Sequence, residues 1–495
     1  MNIDPNTINP STPVLVGAAA IEQRIEEVNG GKEACELMAD AVRAAAEDAG
    51  CTGLLQQIER ISAPKGMWGY SDPARLVAEA VGSPKATTVL AQIGILQQTL
   101  LADACERIAR GEVEVAVVTG GEAKYRQLLG QIAGVEVSET SQENVAADLV
   151  LEPAAELWLE AETNAGLGMP VGFYAIMASA LRATRGLSID EDRDQVAAMY
   201  QRFSEIAVDN PHAWKREFIA AETIRNPGPK NPMLAFPYTK LHNTSWNVDQ
   251  AAGLIFTSVA KAEELGIPRE NWIFPLASTE SNHIVPVSQR EQLHGLPGAR
   301  ACAEKALAIG GLSPEDIDFW ELYSCFPVAV EIYAREAAVP AGKDYTVTGG
   351  MPFSGVPLNN YVLQSTVKMV EILRAQPGSI GMVSSVSGML TKQAYGLWSS
   401  EPGANGFIAA DVTEEVKQQS PLKEVLPDYE GDGVIAGYTV LFHGDAPQRA
   451  IAVIDVAEGQ RSVAFSDDEN TMQAMMNDEF VGRSVNVASG RFVPI

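Results

Sequence analysis

Histidine and cysteine are scarce in this chain, with five of each in 495 residues. Cys35, Cys51, Cys105, Cys302 and Cys325 stand far apart with no C-x-x-C pair, which argues for reduced thiols and against a disulfide framework. His212, His242, His283, His294 and His443 are equally dispersed, so no zinc-ligand spacing exists and no metal is expected. Basic residues are few as well: 36 Lys and Arg against 64 Asp and Glu leave a net charge of −28. That balance repels phosphate backbones and anionic lipid, so nucleic acid and membranes are excluded as expected partners. No apolar run reaches the ~18 residues a membrane helix needs, and "MNIDPNTINPSTP" has neither a basic nor an apolar leader segment. The expectation is a cytoplasmic protein.

What is present is a repeated βα order. "PVLVGAAAI" reads as a buried strand and "GKEACELMADAVRAAAEDAGC" as a helix, its apolar positions at 3–4 spacing. The strands "IERISAPKG", "ATTVLAQ" and "EVAVVTGGE" alternate with the helices "DPARLVAEAVG" and "ILQQTLLADACERIARG". Such alternation predicts a largely parallel sheet covered on both faces. The order returns later in "WIFPLASTES", "GARACAEKALAIGG", "IDFWELYSC", "FPVAVEIYAREAAV", "TVTGG" with "LNNYVLQSTVKMVEILR", and "GSIGMVSSVSG". Two similar halves are therefore expected, with a site where their strand ends meet.

Between the halves lies a helical, aromatic stretch containing "GFYAIMASALRATRG", "DEDRDQVAAMYQRFSEIAVDNP" and "AWKREFIAAETI". Residues 181–240 hold nine Lys and Arg against eight Asp and Glu, a neutral patch in an acidic chain that hints at an anionic ligand. Solvated helix faces with i, i+4 pairs read equally well. From about 425 on, short alternating strands around a single helix "ENTMQAMMN" predict a small β module, plausibly a barrel. Its four Arg against nine Asp and Glu over 431–495 argue against a single-strand nucleic-acid groove.

Four segments carry a resemblance: "IARGEVEVAVVTGGEA", "HNTSWNVDQAAGLIFTS", "ELYSCF" and "GGMPFSG" occur in the order of the thiolase motifs. The chain resembles the thiolase superfamily over roughly 12–410, and its β module is similar in texture to that of thiolase-like proteins of type 1. The resemblance implies an α/β fold: a duplicated thiolase-type α-β-α-β-α core with an inserted helical loop domain and a C-terminal barrel-like module. The expected division is an N-terminal half at 1–122 plus 241–265, the loop domain at 123–240, a C-terminal half at 266–415 and the β module at 425–495.

Thiolases work through two cysteines and a histidine. Matching the motifs places those positions at Gly94, Val386 and Met351, and there is no Cys in 52–104 and no His in 295–442. A Claisen cycle through an acyl-cysteine therefore has no carrier. The resemblance leaves an acyl-CoA-binding protein of the acetyl-CoA acetyltransferase class, with a coenzyme A thioester as ligand, no covalent cofactor, and a homodimer compatible with it. A sensor or scaffold without turnover, and a carbon–carbon lyase working through Tyr323, remain open beside it.

Candidate catalytic residues are Tyr323, Cys325 and His283. Gly94, Gly350, Met351, Ser387, Gly388 and His242 are candidates for the acyl pocket, with the helix starts after Gly94 and Gly350 expected to offer unpaired N–H groups. Arg182, Arg185, Lys215 and Arg216 are candidates for the phosphate end. Each has a structural reading: Tyr323 as a core-capping aromatic, Cys325 as inert packing, Ser387 as core.

Overall fold

The computed structural model describes residues 8–143 and 145–495. The first seven residues of the polar lead, and Asn144 of the loop domain, lie outside the described residues.

In the first half, β1 (Pro13–Glu22), β2 (Arg60–Pro64), β3 (Thr87–Ala91), β4 (Val115–Ala123) and β5 (Leu149–Leu151) share a sheet with a later strand. Two short strands, β6 (Met233–Ala235) and β7 (Tyr238–Thr239), precede that later strand, β8 (Asp249–Ser258). The sheet order is β1-β8-β4-β2-β3-β5, antiparallel around β8 and parallel from β4 to β5. The alanine-rich helix Ala34–Asp48 lies on it at backbone contact. A Cβ on Gly17 would fall 2.1 Å from the Ala45 carbonyl oxygen, and one on Gly253 would fall 2.8 Å from the Ala41 carbonyl carbon. Glycine on the strand and alanine on the helix are thus one packing solution.

The second half repeats the plan with β9 (Phe274–Ser281), β10 (Phe319–Glu321), β11 (Ile380–Ser387), β12 (Lys392–Ser399) and β13 (Ile408–Asp411), ordered β10-β11-β12-β9-β13. Helices Gln97–Ala109 and Tyr361–Ala375 fill the space between the two sheets. Their Leu100, Leu101, Val367 and Leu373 join Phe256 of one sheet and Val383 and Trp398 of the other in one core. Cys105 lies in that middle layer, 1% exposed. Helices Pro297–Gly310 and Pro327–Glu336 cover the outer face of the second sheet, where Cys302 and Tyr333 are fully buried. The five layers alternate α-β-α-β-α.

After a short β14 (Glu424–Val425), the chain forms β15 (Gly431–His443), β16 (Ala446–Ala457), β17 (Gln460–Ser466), β18 (Ser484–Ala488) and β19 (Arg491–Pro494). Their pairing runs β15-β16-β17-β19-β18 and back to β15, a closed five-stranded barrel with helix Glu469–Asn477 after its third strand. β6 adds to it through Leu441 and Ala235, so the segment leaving the helical insertion is tied to the barrel by a strand pair.

Several elements differ from the sequence reading, among them β5 and β13, which are additional strands. "AWKREFIAAETI" is helical only over Ala221–Arg225, because the Trp214 and Lys215 amides donate to Ser354 and Phe353 carbonyls instead of to a helix. "IDFWELYSC" is a strand only over Phe319–Glu321, after which Leu322 donates to Tyr345. β12, in the middle of the second sheet, is additional to the expected strands.

Glu122, at the end of β4, is 1% exposed, and burial pushes its carboxyl up to about 7 although it accepts the Met67 amide. The unfolded chain ionises this group near the usual ~4.3, so its contribution is full at low pH and is lost as pH rises to about 7. Urea unfolding of Glu122→Gln is expected to match the parent at pH 4.5 and to exceed it by about 2–3 kcal/mol at pH 8.

Candidate functional site

The glycine turn after Tyr345 is organised by one carboxylate. Glu321, 1% exposed at the end of β10, accepts the Val347 amide at 2.7 Å, the Thr348 amide at 3.1 Å and the Tyr361 hydroxyl at 2.6 Å. Thr346 and Thr348 also donate their hydroxyls to it. Burial raises its pKa, with these bonds opposing. Thr346 Oγ1 in turn accepts the amides of Gly349 (3.1 Å) and Gly350 (3.0 Å), and Ser324 Oγ accepts that of Met351 (3.0 Å). The expectation that this turn offers unpaired N–H groups to a ligand is therefore corrected. Its donors are consumed internally, and Pro352 has none.

Steric fit seals the same turn. Gly349 and Gly350 have φ of +97° and +75°, and a Cβ on either would come within 2.5 Å of Ala207 or Phe203 on helix Ile189–Asp209. Met351 is fully buried. Gly350 and Met351 are wall and core, not ligand contacts.

Gly94, ahead of helix Gln97–Ala109, has a φ of +105°, and a Cβ there would lie 2.8 Å from Pro153. No side chain fits at this position without moving the 152–158 segment, whose Leu157 lies over Gly388. The carbonyl of Gly94 accepts the Lys392 ammonium at 2.8 Å. Lys392 is 3% exposed, and among the described residues it has no carboxylate within 4.0 Å; burial lowers its pKa, against Glu280 and Asp411. It pairs with Ser387 across the β11–β12 hairpin, so both side chains face the middle layer beside Gly94.

Tyr323 lies two residues past the end of β10. Its amide donates to Ser384 Oγ at 2.8 Å, its ring meets Tyr361 edge-on at 5.9 Å, and Gln97 lies beside its hydroxyl. Burial and then Cys325 raise its pKa, so the hydroxyl holds its proton at neutral pH. Burial pushes the Cys325 thiol up to about 12, with Tyr174 opposing, which makes it a packing residue rather than a thiolate nucleophile. Tyr174 also donates to the Gly388 carbonyl at 3.3 Å.

The remaining candidates scatter. His283 lies at the end of β9 in a separate cleft with Arg290 and Leu390, not beside Tyr323. His242 is 3% exposed between Tyr200 and Tyr238, accepts the Thr239 amide, and is lowered to about 3 by burial and Arg193. It is a neutral core imidazole. Arg182 is 1% exposed and bound to Glu479 and the Tyr438 hydroxyl, clamping the insertion to the barrel instead of meeting phosphate. Arg185 is committed to Glu331 and Gln195. Among the described residues Lys215 and Arg216 have no carboxylate partner, and Lys215 is lowered by burial and by Lys240. Gln97 beside Tyr323 and Lys392 beside Gly94 are the neighbours of the candidate residues that the sequence reading missed. No group of three His, Cys, Asp or Glu among the described residues is placed to hold a metal, and no described helix is long and apolar enough to cross a membrane.

Comparison with known proteins bears on the fold. The family model of the thiolase-like protein type 1 additional C-terminal domain matches residues 411–490. A monomeric SCP2-thiolase like protein type 1 from Mycobacterium smegmatis superposes with a TM-score of 0.83 at 24% identity, over 99% of this chain and 100% of that one. Residues 411–490 thus match the domain that this family model describes, and the rest of the chain has the thiolase-type fold. An Ltp2-ChsH2(DUF35) aldolase shares the fold at a TM-score of 0.58 and 18% identity, over 80% of this chain and 98% of that one. An acetyl-CoA acetyltransferase of Methanocaldococcus jannaschii is 26% identical over 261 residues, 52% of this chain; the match spans 59% of that relative's length.

Two outcomes follow for this region. Iodoacetamide at neutral pH should label the half-exposed Cys51 well before Cys325, read by peptide mass spectrometry. Glu321→Ala strands the Val347 and Thr348 amides and the Tyr361 hydroxyl in the core, and should cost about 3 kcal/mol in urea unfolding. Glu321→Gln keeps an acceptor oxygen and should cost less.

Proposed function

We propose that this protein binds an acyl-CoA thioester in the thiolase crevice and handles the acyl group without forming an acyl-cysteine. The observation that carries the reading is Gly94. Its positive φ and the Pro153 side chain 2.8 Å from any added Cβ leave no room for a nucleophile at the position the motif order assigns to one. The groups nearby are polar: Lys392, paired with Ser387 across the β11–β12 hairpin, bonds the Gly94 carbonyl, and Tyr323 has Gln97 at its hydroxyl. A thioester carbonyl needs donors of this kind to be held. Lys215 and Arg216, lacking carboxylate partners and adjoining the 351–355 turn through the Lys215 amide, supply positive charge for the phosphate end of the ligand. The activity class that fits is acyltransferase-like.

A carbon–carbon lyase is the second reading, favoured by one specific observation. Tyr323 keeps its proton at neutral pH and has Gln97 at its hydroxyl, so it is equipped as a general acid toward the thioester enolate that takes the electron pair of the broken bond, while the proton of the β-hydroxyl passes to a base. The shared fold with a known aldolase accords with this reading.

Calorimetry should show binding of acetyl-CoA, weakened by Lys215→Ala with Arg216→Ala. Undetectable affinity at millimolar ligand refutes the proposal, and so does an acyl-enzyme adduct found by mass spectrometry. In turnover assays acetoacetyl-CoA should be left uncleaved. If β-hydroxyacyl-CoA is cleaved, Tyr323→Phe should slow it ~10²-fold or more. Binding without any cleavage would leave a thioester sensor or scaffold.

A further inference from the structure

A second pocket lies away from Tyr323, on the outer side of the second sheet. It is a cleft of about 280 Å³ between the end of β9, the start of helix Pro297–Gly310 and residues 416–422. Three features give it a chemical character.

The first is charge. Arg290, Arg300 and Arg335 line the cleft against only Glu291 and Glu336, an excess of one positive charge in a chain of net charge −28. Glu336 is already claimed, holding Arg300 at 2.7 Å and Arg335 at 2.6 Å. Arg290 is 6% exposed, and among the described residues no carboxylate lies within 4.0 Å of it. Its guanidinium meets only the carbonyls of Val285 and Met389 and the sulfur of Met177. A buried cation whose direct partners are dipoles, with the Glu162 carboxylate acting on it only from beyond 4.0 Å, is an expensive arrangement.

The second is unmet hydrogen bonding. His283 Nε2 and Ser420 Oγ, both on lining residues, are buried without a partner. Burial and Lys417, with Glu414 opposing, hold the His283 imidazole below its ordinary value, so at neutral pH it is an uncharged group. The third is apolar surface, from Val285, Leu296, Leu390, Val416 and Leu422.

We propose that this cleft is a binding site for a small organic monoanion, a carboxylate with a short apolar body. One excess positive charge suits a carboxylate better than a phosphate dianion, and the aliphatic lining has no use for inorganic phosphate. The volume equals that of roughly nine water molecules at ~30 Å³ each, which limits the body to a short chain. Arg290 also donates to the carbonyl of Met389, next to the Gly388 carbonyl that Tyr174 binds, so the cleft adjoins the back of the β11–β12 turn. The site stands independently of acyl-CoA binding in the front crevice.

Histidine ring carbon–proton spectra test it, because the full chain has only five imidazoles and His283→Ala identifies the signal. Titration with hexanoate should move the His283 resonance saturably and leave the exposed His443 unmoved. Ser420→Trp, at the cleft wall, should abolish the shift while circular dichroism stays unchanged. Leu422→Trp, at a half-exposed lining position, serves the same purpose if the first variant misfolds. No movement of His283 at millimolar hexanoate overturns the site. A shift that survives both wall substitutions places the binding elsewhere and overturns it too. A response to inorganic phosphate without one to hexanoate overturns the ligand class.

Discussion

A single buried carboxylate determines what the front of this molecule can do. Glu321 gathers two backbone amides and three hydroxyls, and the turn it organises then spends its own amides on Thr346 and Ser324. An anion in the core would ordinarily be a liability, and here its cost is offset by charge-assisted bonds to groups that also need satisfying. The consequence is a wall that is rigid, dry and closed to ligands from the backbone side. Helix Ile189–Asp209 presses on Gly349 and Gly350 so closely that nothing larger than glycine fits. Polar function in the crevice therefore has to come from side chains on the opposing strands.

The layered core was legible because its signals are local. Apolar periodicity marked the helices, and short buried runs marked most strands. β12 escaped because it follows a glycine, serine and threonine stretch that reads as loop. A signal was there nonetheless: "DQAAGLIFTS" in β8 and "KQAYGLWS" in β12 share Q-A-x-G-L, and each is antiparallel to both of its neighbours in its sheet. Treating the duplication as a ruler, rather than as an impression of similar texture, finds it.

The site was less legible because its decisive features are long-range. Ser324 as acceptor for Met351, Pro153 over Gly94 and Phe203 against Gly350 each join residues tens to hundreds of positions apart. Nothing in the spacing of "GGMPFSG" reveals that its amides are satisfied. The same holds for Arg182, whose place in a neutral, helical stretch suggested a phosphate ligand while its partner Glu479 lies 297 residues away in the barrel. Lys392 was invisible for the further reason that a single lysine at a strand start carries no pattern at all.

Lys392 and Gly94 tie the two halves of the core together. Gly94 has a positive φ, and its carbonyl accepts the lysine ammonium that the β11–β12 hairpin presents. An ammonium has three donors, and this one has one acceptor among the described residues, in a place where water is largely excluded. Ser387 is its cross-strand partner, so the remaining donors stand next to that serine. With the glycine-turn amides consumed internally, the donor capacity left over beside Gly94 sits at the strand ends of the second half.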